Sequence, residues 1–510
     1  MLLRPAFPQS TRGVCSSTAL LRPVRTPRTR MPLRAKITNP AMQGERQYAT
    51  GQPAIDSLPG DAENDVVFSA KYGVRTIELN RPDKLNSLNG SMARKIIPRL
   101  QEWQKSGLAN VIVIKGAGRA FCAGGDVAVL AQDCAKGKEG QQESTDYFAL
   151  EYKLDHLIAT YPKPYVAFID GITMGGGVGL SVHAPFRIAT EKTVFAMPET
   201  TIGFFPDVGA SFFLPRMDGA LGLYLALTSE RLKGPEVFFS GIATHYLHSS
   251  SLPDLEARLA ELQFKDLADM NERLTVINNT IEEFTTGLPY DQPLQMDMNI
   301  RKIIDFAFQS VHDTPEKIVS ALEQTLSQNV DDYIKDWAKK TVATIKERSP
   351  IAVAVSLQQY QKGAGWNIAQ TFEQEHHIAS RFMAHPDFVT GVTARLISKQ
   401  KGRPDWKPNT LEEVTREQVA EFFSENPSGL TLLNKEHSAQ YHDYPHAWVG
   451  LPRESEVKRF VQSANPESKD FVVQYFLEDK NQKMGTKEKV EEILERKTKA
   501  KKDGRLEWVD

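Results

Sequence analysis

Hydrophobic and polar positions change rhythm twice along this chain. Across "VVFSAKYGVRTIELNRP", from Val66 to Pro82, short apolar runs flank Tyr72-Gly73, the pattern of two strands turning back on each other. A helix is predicted from about Ser91 to Lys105, followed by "NVIVIKG" as a buried strand. In "STDYFALEYKLDHLIATYPKP" the apolar residues Phe148, Tyr152, Leu154, Leu157 and Ile158 fall on a helical pattern until Pro162 stops it. "YVAFIDG" reads as the next strand, a glycine-rich turn follows, and "FRIATE" and "TVFAMPE" supply two more. Strands alternating with helices predict an α/β core over residues 60–300. Beyond about Ala220 helix follows helix, through "SLPDLEARLAELQ", "TPEKIVSALEQTLSQ", "VDDYIKDWAKKTVATIKERSP" and the segment around "TFEQEHHIASRFM", giving a helical region over 301–423. The signals weaken in an extension over 424–510. Its end, Lys480 to Arg505, carries ten basic and five acidic side chains and little to bury, which predicts a solvated terminal helix, with a partner-binding arm as the second reading.

Composition changes this picture mainly at the N-terminus. With 510 residues, 41% hydrophobic and 25% charged, the chain has material for a large core and more than one domain. A net charge of -2 supplies no field that would steer it to DNA or an acidic membrane. No apolar run approaches the roughly 18 residues of a membrane span. The three cysteines, Cys15, Cys122 and Cys134, have no paired spacing, which argues against a disulfide framework and a CxxC metal site. Cys122, among small residues, reads as a buried apolar group rather than a thiol nucleophile. From Met1 to Gly44 there are eight basic residues, several hydroxyls and no acid. That composition predicts a mitochondrial transit peptide over residues 1–48, and a matrix location with it.

The candidate chemistry sits in three glycine-bearing stretches. "GAGRAFCAGGD" (Gly116–Asp126) and "DGITMGGGVGLSVHA" (Asp170–Ala184) each follow a strand and precede a helix, so each can offer a backbone N–H to a shared oxygen. The third, "PETTIGFFPDVG", holds Glu199 and Asp207 eight residues apart in otherwise apolar company. Unpaired carboxylates are costly to bury, so these two ask for a purpose. Fully extended, eight residues reach about 26 Å; Gly203, Pro206 and Gly209 are the positions that would let the chain fold back. A purely local role is open for Asp207, as N-cap of a helix starting near Val208. The glycines do not form GxGxxG in register, and neither a phosphate loop nor GxSxG is present. His376 and His377 lack a second ligand pair at metal spacing and are predicted on a helix surface.

"NRPDKLNSLN", "FCAGGD", "GITMGGGVGLSVH" and "FAMPETTIGFFPDVG" resemble the crotonase (enoyl-CoA hydratase/isomerase) superfamily, and within it the 3-hydroxyisobutyryl-CoA hydrolase branch. The resemblance runs over roughly Val66 to Phe423. It implies the crotonase (ClpP-like) fold, repeated ββα units followed by helices that complete the pocket. By motif position it implies an oxyanion hole from the backbone N–H groups of Gly125 and Gly176, with Glu151, Glu199 and Asp207 as substrate-contacting acids. Hydratases of the superfamily carry a glutamate where this chain has Gly179. That absence implies thioester hydrolysis rather than hydration, with Asp207 taking over from the missing acid. Glu199 is then nucleophile or general base, both assignments being open. The implied activity is mitochondrial hydrolysis of 3-hydroxyisobutyryl-CoA in valine catabolism, with no metal or redox cofactor and acyl-CoA as the ligand. Two alternatives stand beside it. Some fungal relatives of the branch are components of the mitochondrial ribosomal small subunit, and the basic extension could serve such docking. The other is an enoyl-CoA hydratase or isomerase.

Overall fold

The computed structural model describes residues 55–265, 268–289, 294, 296–424, 429–502 and 504–509. The leader predicted over residues 1–48 lies outside the described residues. Past an opening hairpin, β1 (Val66–Lys71) and β2 (Val74–Leu79), and helix α1 (Gly90–Lys105), one motif recurs. Strands β3 (Val111–Gly116) and β4 (Ala120–Cys122) lead into helices α2 (Val127–Cys134) and α3 (Lys138–Ala159). Strands β5 (Tyr165–Phe168) and β6 (Ile172–Met174) lead into α4 (Gly176–Val182). Strands β7 (Phe186–Ala189) and β8 (Val194–Ala196) lead into a 3-10 turn at Glu199–Ile202. Each first strand enters a six-stranded sheet, ordered β1-β2-β3-β5-β7-β10, and each second strand a four-stranded sheet, ordered β4-β6-β8-β9, where β9 is Leu232–Lys233 and β10 is His245–Tyr246. The strands contributed by the repeating units pair in parallel. The expected ββα architecture is therefore present, as a structural repeat that the sequence hides. Ile112, Val113 and Ile114 of β3 are all fully buried, the signature of a parallel strand covered on both faces.

Helices from Leu221–Thr228 onward close over this core, and α5 (Ile368–Ala384) reaches back to α3: Phe372 lies 6.2 Å from the Tyr152 ring. His376 and His377, predicted on a helix surface, are buried on this helix, at 8% and 7% exposure. The face they share with Phe372 is an internal one.

The extension departs most from its prediction. Helices α6 (Glu454–Ala464), α7 (Lys469–Asp479) and α8 (Thr486–Lys497), with a hairpin of β11 (Thr498–Ala500) and β12 (Leu506–Trp508), enclose a small core of their own around Val457, Val472, Val490, Ile493 and Leu494. Two basic residues of α8, Lys489 and Arg496, point inward. Arg496, 1% exposed at its side chain, pairs with Asp305 at 2.5 Å, Glu454 at 2.7 Å and Glu492 at 2.8 Å. Lys489 pairs with Asp218 at 2.6 Å and donates to the Phe239 carbonyl, while Lys483 pairs with Glu282. Counting Lys and Arg as a solvated face failed because their partners stand far away in sequence and close in space. Removing one member of a buried network strands the others without solvent. Arg496→Ala is expected to lower unfolding stability by about 3–5 kcal/mol and to open residues 454–509 to protease, read by denaturant titration and limited proteolysis.

Candidate active site

Two glycine turns, at the ends of β4 and β6, meet face to face. Gly124 and Gly175 both adopt left-handed backbone, at φ +114 and +46, and a Cβ on Gly175 would stand 3.3 Å from the Gly124 Cα. A Cβ on Gly176 would lie 3.5 Å from the Gly125 nitrogen. The bridge between Leu88 and Gly125 uses the N–H groups of Leu88 and Asp126, so the Gly125 N–H stands outside that ladder. The two predicted oxyanion donors are therefore adjacent.

Helix α3 brings acids to these turns. Glu151 is 2% exposed, and its Oε1 would sit 2.4 Å from a Cβ on Gly176. One turn further along, Asp155 is fully buried with both carboxyl oxygens lacking hydrogen-bond partners, and its Oδ2 would sit 2.5 Å from a Cβ on Gly179. Asp155, rather than Asp207, is thus the acid that stands against Gly179. Sequence reasoning passed over it, although its spacing from Glu151 on a helix puts both on one face. Glu199 faces the same place from the other side, its Oε1 3.1 Å from a Cβ on Gly175. Asp207 completes the group by accepting from the Tyr152 hydroxyl, on α3, at 2.7 Å. The fold brings Gly125, Glu151, Gly176 and Glu199 to the two turns and ties Asp207 to α3, the helix that carries Glu151, through Tyr152.

The segment carrying Glu199 and Asp207 does fold back, with Gly203 at φ +73, Val208 at +53 and Gly209 at +87. A β-branched residue in left-handed backbone is strained and persists only where its surroundings hold it. Glu375 of α5 supplies part of that hold, accepting from the Gly209 N–H at 2.6 Å, the Ser211 N–H at 2.8 Å and the Ser211 hydroxyl at 2.6 Å. Gln359 donates to the Pro206 carbonyl at 2.6 Å. His183, which ends α4, contacts the Val208 carbonyl through Nε2 at 2.8 Å. The helix after Asp207 is Ala210–Phe213, capped at Gly209, so the Asp207 side chain serves Tyr152 and is not an N-cap. Cys122 is fully buried and burial pushes its thiol up to about 12, as an apolar role requires.

A family model described as enoyl-CoA hydratase/isomerase matches residues 74–423. The chain belongs to the crotonase family. It is 49% identical over 493 residues, 96% of each chain, to the small ribosomal subunit protein mS47 of Neurospora crassa. To the mitochondrial 3-hydroxyisobutyryl-CoA hydrolase of Gallus gallus it is 42% identical over 365 residues, 71% of this chain and 89% of that one. A solved structure, a carnitinyl-CoA dehydratase from Mycobacterium thermoresistibile, matches with a TM-score of 0.63 at 30% identity, covering 73% of this chain and 100% of its own.

In this crotonase the acids govern one another's protonation. Burial pushes Glu151, Asp155 and Glu199 well above the carboxylate range, with neighbouring acids adding to the shift. Burial also raises Asp207, to about 7, against the opposing donation from Tyr152, and Glu375, to about 8, against its three donors. Desolvated like charges cannot all ionise at once. Near neutral pH the cluster therefore holds shared protons, with Asp207 poised to exchange one.

The same shifts couple stability to pH. Each acid binds its proton more tightly folded than unfolded, so unfolding releases protons and stability falls as pH rises from about 4 through the raised values of Asp207 and Glu375. Thermal unfolding is expected at lower temperature at about pH 8 than at about pH 5. Asp207→Asn flattens that fall and raises the midpoint at the alkaline end. Glu375→Gln lowers the midpoint throughout, because three donors then face a single amide oxygen. Calorimetry across the pH series reads both.

Proposed function

We propose that this crotonase hydrolyses the thioester of a short 3-hydroxyacyl-CoA, namely 3-hydroxyisobutyryl-CoA, as a step of valine catabolism in the mitochondrial matrix, with no metal or redox cofactor. The observation that carries the reading is the convergence of Glu199 and Glu151 on the turns of Gly125 and Gly176, with Asp207 held to the helix of Glu151 by Tyr152. The thioester oxygen enters between those N–H groups, which stabilise the oxyanion by roughly 3–4 kcal/mol per donor. Glu199 either attacks the carbonyl, giving an anhydride that water opens, or takes a proton from the attacking water. In both routes the C–S bond breaks and the departing thiolate takes up a proton. Asp207 and Glu151 bind the 3-hydroxyl and orient water, and Asp207 exchanges protons near pH 7. The resemblance to the Gallus gallus hydrolase supports the choice of substrate. The expected outcome of a thiol-release assay on 3-hydroxyisobutyryl-CoA is clear turnover, lost by about two to four orders of magnitude in Glu199→Gln and in Asp207→Asn while the fold persists. Crotonyl-CoA hydration outpacing thiol release would instead favour the hydratase reading.

A second reading has its own support. The match to the Neurospora crassa ribosomal protein spans 96% of this chain and so takes in the extension, whereas the family model ends at 423. This chain is accordingly also proposed as a component of the mitochondrial ribosomal small subunit. Sedimentation of mitochondrial extract is expected to place a fraction of it with small subunits at physiological salt; recovery solely as a small free particle would exclude that role.

A further inference from the structure

The extension does more than dock on the body. Its residue Tyr444, half-buried, points its hydroxyl inward to the Nδ1 of His183 at 2.7 Å. His183 is fully buried at the end of α4, the helix whose first residue is the oxyanion glycine Gly176. Its other nitrogen, Nε2, lies 2.8 Å from the carbonyl of Val208, the strained residue next to Asp207. A carbonyl only accepts, so Nε2 carries the proton; in a neutral ring Nδ1 is then the acceptor and the Tyr444 hydroxyl its donor. Burial holds the ring neutral, its pKa lowered to about 4, with Arg187 and His156 as the neighbouring charges. Fit around the ring is close: a Cβ on Gly209 would come within 2.3 Å of Nε2, and Phe372 meets the ring edge-on at 5.5 Å. The Tyr444 ring is itself wedged against Phe212, 4.9 Å away. His183 is therefore a brace between the oxyanion helix and the acid-bearing loop: the Val208 carbonyl sets its tautomer, and the hydroxyl that meets its Nδ1 comes from outside the family's matched region, which ends at 423.

We propose that Tyr444 is a positioning residue of the active site, through which the C-terminal extension anchors the His183 ring and so the place of Asp207 relative to the oxyanion hole. The role in turnover rests on the thioesterase reading; the brace itself does not. Tyr444→Phe in the full-length protein keeps the ring packing and removes only the donor. With histidine-labelled protein, nitrogen NMR is expected to show the Nε2–H tautomer of His183 in both proteins, with the Nδ1 resonance displaced in the variant by the loss of its hydrogen-bond donor. Thiol release is expected to fall about tenfold in kcat, the scale of a small misplacement, with KM little changed and the thermal midpoint nearly kept. An unchanged His183 signal in Tyr444→Phe overturns the proposal whatever the activity does. An altered signal with unchanged kcat overturns the positioning role. If the parent itself shows no thiol release, the thioesterase reading fails, while the Nδ1 signal still decides the brace. Tyr444→Leu in the full-length protein is a second route to the same altered signal, should Tyr444→Phe prove unstable.

Discussion

The site depends on acids packed into the absence of side chains. Helices α3 and α4 approach closely because Gly176 and Gly179 offer no Cβ, and the room they leave is filled by Glu151 and Asp155. Each element of the arrangement needs the others. A methyl group at either glycine would collide with a carboxyl oxygen, and an acid without the glycine would have nowhere to point. The same close approach puts the Gly176 turn beside the Gly125 nitrogen, so the seam that admits the acids also brings the two proposed oxyanion donors together. Catalysis by such a hole relies on donors that are already in place when charge develops, and a rigid helix contact provides that.

Such packing carries a cost in stability. Glu151, Asp155, Glu199, Asp207 and Glu375 are each at or below 5% exposure, and burial favours the neutral form of every one. Compensation comes from donors placed around the cluster rather than from cations within it: Tyr152 for Asp207, and two backbone N–H groups with the Ser211 hydroxyl for Glu375. Charges in the C-terminal extension are treated in the opposite way. There Arg496 is surrounded by three carboxylates and Lys489 by one, so burial is accompanied by full pairing. Unpaired acids at one place and paired charges at another separate the reactive part of the molecule from the part that holds it together.

What could be read from the sequence follows from how local each signal is. Glycines after strands, and two acids in an apolar run, are visible in a dozen residues, so the two glycine turns, Glu199 and Asp207 were accessible, whereas Gly125, Gly176 and Glu151 were singled out by the family resemblance. The strand and helix rhythm of the core was accessible for the same reason, as in "NVIVIKG" and β3. Asp155 was hidden because its meaning lies in Gly179, on another helix. Glu375 was hidden because its three donors come from a loop some 165 residues earlier in the chain, and α5 read simply as amphipathic. Val208 carries no sequence mark of its left-handed backbone, since its type is the least suited to it. The extension was misread through charge counting, which sees Lys489 and Arg496 and not Asp218 and Asp305.

The placement of the extension also bears on how one chain could serve two roles. An arm added for docking alone would be separable from the body, held by solvent-exposed charges and free to move. Here the extension has its own apolar core and buried ion pairs to the helical region. At its near end Tyr441 donates to the Ala159 carbonyl at the end of α3, and Tyr444 reaches His183. A large partner gripping α6 to α8 would therefore grip the same compact unit that sets the catalytic loop, without having to cover the glycine turns. A ligand in the site and a partner on the extension would act on each other through the contacts that join the extension to the body, the segment from 430 to 450 and the ion pairs of Lys483, Lys489 and Arg496 among them. Because coupling between two binding events is reciprocal, any effect of the partner on acyl-CoA affinity must be matched by an equal effect of acyl-CoA on the partner's affinity.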